Sequence, residues 1–263
     1  MGSSILALLA VLLAADSTTP ATEAPAAPVE EEAKDSAGVS PVELIPRLEL
    51  RQSFARLSSG ASLHVTTAEI DLRFLQRVLL RYQGPVAVLS GPSGQVSGFG
   101  DAELQAIGLL ASSPRFVAVA LAGAVLDTAS RPELGAGKTQ LTFGAAAAIS
   151  PVRFWLPYLV IQEQISVAGD DARPDVNLLV VRVGNIVFGK GFSWYKVDFD
   201  GVTDFERRAG RLFGTLEVGS LLIGRVGLFV RSSTQLVGTR QLDYSLEVGM
   251  RYLFGLGKGK EPK

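Results

Sequence analysis

From Arg47 onward the chain alternates apolar and polar residues in runs broken by Gly, Pro, Asp and Ser. The final run is the clearest. Leu242, Tyr244, Leu246, Val248, Met250, Tyr252 and Phe254 share one parity, and Gln241, Asp243, Ser245, Glu247, Gly249 and Arg251 the other. Successive side chains of a strand point to opposite faces, so this reads as one apolar and one polar face over about 13 residues. A soluble half-buried strand averages about 5–6 residues, whereas a tilted membrane strand needs about 9–11 plus its rims. The length favours lipid on the apolar side.

Other segments repeat the pattern. Ala68, Ile70, Leu72 and Phe74 alternate with Thr67, Glu69, Asp71 and Arg73. Leu212, Leu216 and Val218 oppose Arg211, Thr215 and Glu217, and large Val117, Val119, Leu121 and Val125 alternate with Ala118, Ala120, Ala122 and Ala124. A charge on the lipid face costs about 2–4 kcal/mol near the midplane, so the charged faces are expected to line a lumen. Helices are disfavoured because Gly or Pro recurs every few residues beyond position 80, at roughly 1 kcal/mol per helical Gly. The pattern predicts strands near 47–56, 64–74, 77–88, 100–111, 115–126, 138–149, 154–167, 175–188, 192–200, 205–218, 219–231 and 240–254. The expected fold class is all-β: a transmembrane antiparallel up-and-down β-barrel of about 12 strands, an even number placing both termini on one side. Aromatics near strand ends (Phe154, Trp155 and Tyr158; Phe192, Trp194 and Tyr195; Tyr252 and Phe254) are expected in interfacial girdles. Alternation also fits a soluble sheet whose polar face meets water.

Composition adds the setting. A 47% hydrophobic content is spread through short runs, with no central stretch of about 18 apolar residues for a spanning helix. The net charge of -1 gives no basic field for nucleic acid. Cysteine is absent, which removes disulfides, thiol nucleophiles and a lipid-modified N-terminal cysteine. Residues 1–15 read as a signal peptide, with an apolar Ile5–Leu13 run and small Ala14-Ala15 before Asp16, although no Lys or Arg precedes the run. Residues 16–46, rich in Pro and Ala and carrying Glu30-Glu31-Glu32, read as a disordered linker, 47–254 as the barrel, and 255–263 as a basic tail.

Enzyme-like signals are weak. Gly135-Ala136-Gly137-Lys138-Thr139 looks like part of a phosphate-binding loop, but Pro132 stands where the first Gly belongs and a strand follows, so a strand connection is favoured. His64 is the only histidine; Ser62 lies about 6.6 Å along an extended strand, and no G-x-S-x-G motif exists. No enzyme activity, cofactor or metal is expected. The candidate lumen-lining residues are Glu69, Asp71, Arg73, Arg81, Glu103, Arg182, Glu217, Arg225, Glu247 and Arg251, whose mixed signs argue against strong ion selectivity. They line a permeation path in a wide barrel, or pair across and fill a narrow one.

Ser97-Gly98-Phe99-Gly100-Asp101, the Gly-rich Pro132–Lys138 loop followed by Leu141–Ala148, and the closing Tyr244–Phe254 strand resemble a family of outer-membrane transporters named after the meta-pathway of phenol degradation. The resemblance spans 47–254. It implies a barrel related to fatty-acid and aromatic-hydrocarbon transporters that carries small, often hydrophobic molecules. Short loops, a long acidic linker and Lys258, Lys260 and Lys263 after Phe254 depart from the pattern. The expected partners are outer-membrane lipid, a small solute and the barrel-assembly machinery. The expected role is a passive channel lined by mixed charges and small residues such as Ala118, Ala120 and Ala122. A plugged structural barrel and a secreted soluble β-sheet binder are the alternatives.

Overall fold

The computed structural model of the chain describes residues 38–254, apart from positions 93 and 224. The expected signal peptide, the linker up to residue 37 and the basic tail lie outside the described residues. Thirteen strands follow in order: β1 Arg47–Leu57, β2 Ser62–Leu75, β3 Val78–Gly91, β4 Gly94–Phe99, β5 Ala102–Ser113, β6 Phe116–Leu126, β7 Lys138–Ile149, β8 Trp155–Gly169, β9 Asn177–Phe188, β10 Ser193–Asp204, β11 Ala209–Ile223, β12 Val226–Val237 and β13 Leu242–Leu253. Every pairing is antiparallel, and β1 pairs with both β2 and β13. The β2–β3 pairing completes the ring. None of the helices among the described residues is long and apolar enough to cross a membrane.

The ring has twelve staves, as the alternation predicts, because β4 and β5 share one. Val78–Gln83 of β3 pair with β5, and Val86–Gly91 of the same strand pair with β4. Gly100 and Asp101 interrupt the stave, opposite Pro85. Proline has no N–H to give a ladder, so it sits where one neighbour hands over to the next. The Gly100 N–H donates to the Pro85 carbonyl at 3.0 Å. The Asp101 carboxylate accepts from the N–H groups of Ala129 at 3.1 Å and Ala136 at 2.7 Å, which ties the 127–137 loop to the break. The motif read from the sequence as Ser97–Asp101 is thus a stave break that anchors a loop.

Cross-strand partners share a face, so the register assigns every position to the interior or the outside. Leu48, Leu50, Leu216, Leu246, Val248 and Met250 are exposed on the outside, the arrangement of a lipid-facing belt. Phe74, Phe154, Trp155, Phe192, Tyr195 and Tyr252 are also exposed, near the end where β1 begins and β13 finishes. Two residues expected in the girdle are not there: Tyr158 is 5% and Trp194 0% exposed, both inside the barrel. Each lies beside a glycine, so the interior has room for its ring. The β6 face is also corrected. Val119 and Leu121 pair with Ala146 and Gly144 inside, which leaves Ala118, Ala120 and Ala122 on the outer parity. They do not line the lumen.

The linker boundary shifts as well. Val39, Val42 and Ile45 are buried in one apolar cluster with inward residues including Leu79, Ile107, Ile186, Trp194, Phe229 and Leu253. The Gly38 carbonyl accepts from Arg47, and the Leu44 carbonyl accepts from Arg73 at 2.9 Å. Residues 38–46, expected as linker, therefore pack into the terminal end of the barrel. Their three apolar side chains lose contact with water there, a stabilising burial of about 1.5–3 kcal/mol for each.

Candidate functional site: the barrel interior

Just above this apolar floor three inward aromatics lie directly across the sheet from glycines. Tyr158 pairs with Gly184, Trp194 with Gly219 and Phe229 with Gly249. A Cβ at any of the three glycines would overlap the facing ring. Glycine lets the ring lie flat along the wall instead of crossing the lumen.

A belt of ion pairs rests on these rings. Across β13, β1, β2 and β3, Arg251 meets Glu49 at 2.6 Å, Arg51 and Arg47 meet Glu69 at 3.1 and 2.8 Å, and Arg81 meets Asp71 at 2.8 Å. Across β11 to β13, Arg231 bridges Glu217 at 2.6 Å and Glu247 at 2.8 Å. The Trp194 Nε1–H donates to Glu217 at 2.8 Å. Arg251 joins the two halves, its guanidinium 5.7 Å from the Trp194 ring centre and 5.2 Å from that of Phe229. On β9 and β10, Arg182 meets Asp200 at 2.5 Å, and Lys196 meets Asp198, which also accepts the Tyr158 hydroxyl. Each charge is opposed within hydrogen-bonding reach, the condition under which buried charges are tolerated.

The rest of the wall is different. From β5 to β8 the inward polar groups are mostly amides and a hydroxyl: Gln105, Gln140 and Thr142 are buried, and Gln164 donates to Gln140. Val119, Leu121 and Val160 are their apolar neighbours. At the far rim Lys138 meets Asp175 at 3.0 Å, and a cleft of about 600 Å³ opens beside them. The Asp175 carboxyl lies below its ordinary range because Lys138 hydrogen-bonds to it and carries the opposite charge.

Of the sequence candidates, Glu69, Asp71, Arg81, Arg182, Glu217, Glu247 and Arg251 join the belt. Glu103 sits on the inner face opposite Gln83 and Val125. Arg73 belongs to the plugged end, holding Leu44. Arg225 lies in the β11–β12 turn, beyond the belt, where its carbonyl accepts the Leu253 N–H. Sequence reading missed Arg47, Glu49, Arg51, Lys196, Asp198, Asp200 and Arg231. The signal was present, since Arg47, Glu49 and Arg51 alternate with Leu48 and Leu50, and Lys196, Asp198 and Asp200 with Tyr195, Val197 and Phe199. His64 is on the outer face, its ring edge-on to Phe54 at 4.9 Å and turned away from these groups. No cluster among the described residues has the donors for a metal ion.

A closed antiparallel ring with an apolar exterior and a polar interior defines the class: a twelve-stave antiparallel β-barrel. An outer membrane channel from Pseudomonas putida F1 has a similar fold, with a TM-score of 0.63 at 13% identity over 80% of this chain and 94% of that one. The NanC porin matches at 0.61 with 6% identity over 78% and 98%, and the KdgM porin at 0.57 with 10% over 79% and 99%. No family model and no curated sequence matches the chain.

Proposed function

We propose that this protein is a channel of the outer membrane that passes small molecules, apolar ones among them, and takes no part in chemical catalysis. The observation that carries this reading is the division of the interior. One wall holds compensated ion pairs, and the β5–β8 wall offers amides beside Val119, Leu121 and Val160. A path along the second wall meets one carboxylate, Glu103, and otherwise amides and apolar side chains, which suits neutral or weakly polar solutes. The resemblance to the phenol meta-pathway transporters agrees with such cargo. A KdgM porin structure holds an oligogalacturonate, a polyanion. In the present chain Arg47, Arg51, Arg81, Arg182 and Arg231 already have carboxylate partners, which disfavours that cargo.

The test is membrane fractionation and gel mobility with and without boiling, followed by uptake into proteoliposomes. Small neutral aromatics are expected to enter faster than charged analogues of equal size, and faster still when residues 38–45 are removed. A second reading, a filled structural barrel, is favoured by the apolar floor with Val39, Val42 and Ile45 seated on it. It requires that proteoliposomes stay silent toward every solute even without that segment.

A further inference from the structure

Five short strand connections lie at the end of the barrel where β1 begins and β13 finishes. Each contributes one cation and no carboxylate: Arg77, Arg115, Arg153, Lys190 and Arg225. The long connections at the opposite end mix signs, with Asp127 and Glu133 beside Arg131, and Asp170, Asp171 and Asp175 beside Arg173. At two of these turns the backbone closes the reversal: the Arg77 carbonyl accepts the Leu109 N–H at 2.8 Å, and the Arg115 carbonyl accepts the Ser150 N–H at 2.9 Å. Arg77, Arg115, Arg153 and Lys190 are exposed. Immediately around them stand the outward Phe74, Phe154, Trp155, Phe192, Tyr195 and Tyr252, the kind of ring that settles at headgroup depth.

We propose that this cationic rim binds the phosphate groups of anionic lipid headgroups in the leaflet bordering that end, and so fixes the depth of the barrel in the membrane. Two independent features coincide there. The aromatic collar marks where hydrocarbon gives way to headgroups, and the five turns, whose charges are all positive and outnumber Glu43 of the packed 38–46 segment, supply the charge that attracts anionic lipids within a Debye length. A rim serving only solubility would carry both signs, as the opposite end does.

The protein carries its own probe. Of its two tryptophans, Trp194 is sealed inside the barrel, and Trp155 faces outward two positions from Arg153. The full chain is reconstituted in phosphatidylcholine vesicles containing either brominated phosphatidylglycerol or brominated phosphatidylcholine, and tryptophan quenching is measured. The anionic lipid is expected to associate about fivefold more strongly, the equivalent of one arginine–anionic lipid contact. High salt, and R77Q/R115Q/R153Q/K190Q, are expected to abolish the difference while gel mobility still reports a closed barrel. Should that variant fail to fold, the salt titration of the unaltered protein decides alone. Equal quenching by the two lipids overturns the proposal. So does a preference that emerges only when residues 16–37 are deleted, since the acidic Glu30-Glu31-Glu32 stretch would then be the occupant of the rim. Neither readout depends on whether the barrel conducts.

Discussion

The two walls of the interior solve the same problem in opposite ways. Both must fill the inside of a twelve-stave ring with few stranded polar groups, the buried Thr142 hydroxyl being one that finds no partner. The β9–β13 and β1–β3 wall does so with charges, each opposed within a few ångströms: Glu217 with Arg231, Glu49 with Arg251, Asp71 with Arg81. The β5–β8 wall uses amides, a hydroxyl and branched apolar side chains around one carboxylate, Glu103, with Lys138 paired to Asp175 at its rim. The difference teaches where the molecule is brittle. A compensated ion pair is weak evidence of net stability, yet losing one partner leaves a charge buried and alone. An amide pair replaced on both sides by apolar groups costs little.

The largest effect that would separate the walls is Glu217→Ala. It strands the Trp194 N–H and leaves Arg231 with Glu247 alone, and is expected to destabilise the barrel by about 3 kcal/mol, measured as a lowered urea midpoint in phospholipid vesicles. A shift no larger than that of a surface variant would mean that water, not Glu217, solvates Arg231. Next, Gly219→Ala is expected to cost about 1–3 kcal/mol by overlapping the Trp194 ring. The same change made in Trp194→Ala should cost less, since the Leu228 carbonyl at 2.7 Å, not the ring, then crowds the added carbon, and a cycle with no coupling would show that the ring and the glycine are not packed together. On the other wall, Gln140→Leu with Gln164→Leu is expected to stay within about 1.5 kcal/mol of the parent. A loss matching Glu217→Ala would erase the contrast altogether.

The smallest expected effect lies at the rim. Asp175 should titrate below the ordinary aspartate range and return to it in Lys138→Gln, followed by NMR. A carboxyl with a lowered folded value contributes stability above its unfolded value, near pH 3.9, and that contribution disappears as pH falls through the folded value. No low-pH difference between parent and Lys138→Gln would show that the pair is not formed in solution.

Much of this architecture is legible in the chain because strand periodicity is two. The Leu242–Phe254 alternation names its faces without help, since one parity is apolar and the other is not. Where both parities are apolar the phase is undetermined. On β6 the larger Val119 and Leu121 turn inward because Gly123 pairs with Gln105 and Thr142, which fixes the register from both neighbouring strands. Tyr158 and Trp194 could not be told from girdle residues by composition. The signal is a glycine on the paired strand, visible only when the register is known. The buried 38–46 segment hides in a Pro- and Ala-rich context, though Val39, Val42 and Ile45 recur at a spacing of three. As for the site, the sequence shows which charges face inward but not which carboxylate meets which guanidinium, because those partners come from separate strands.

One pair has a bearing on how the barrel is made. Arg251 and Glu49 are 202 positions apart, on the last and first strands to pair. Until that seam zips, neither group has the other, and each must remain near water or tolerate hydrocarbon. Partly closed barrels are therefore penalised at the edge that would most readily linger open, so closure becomes a single cooperative event, late and steep. The seam works as a clasp: its strength is felt less in the finished barrel than in the rate at which an unfinished one disappears.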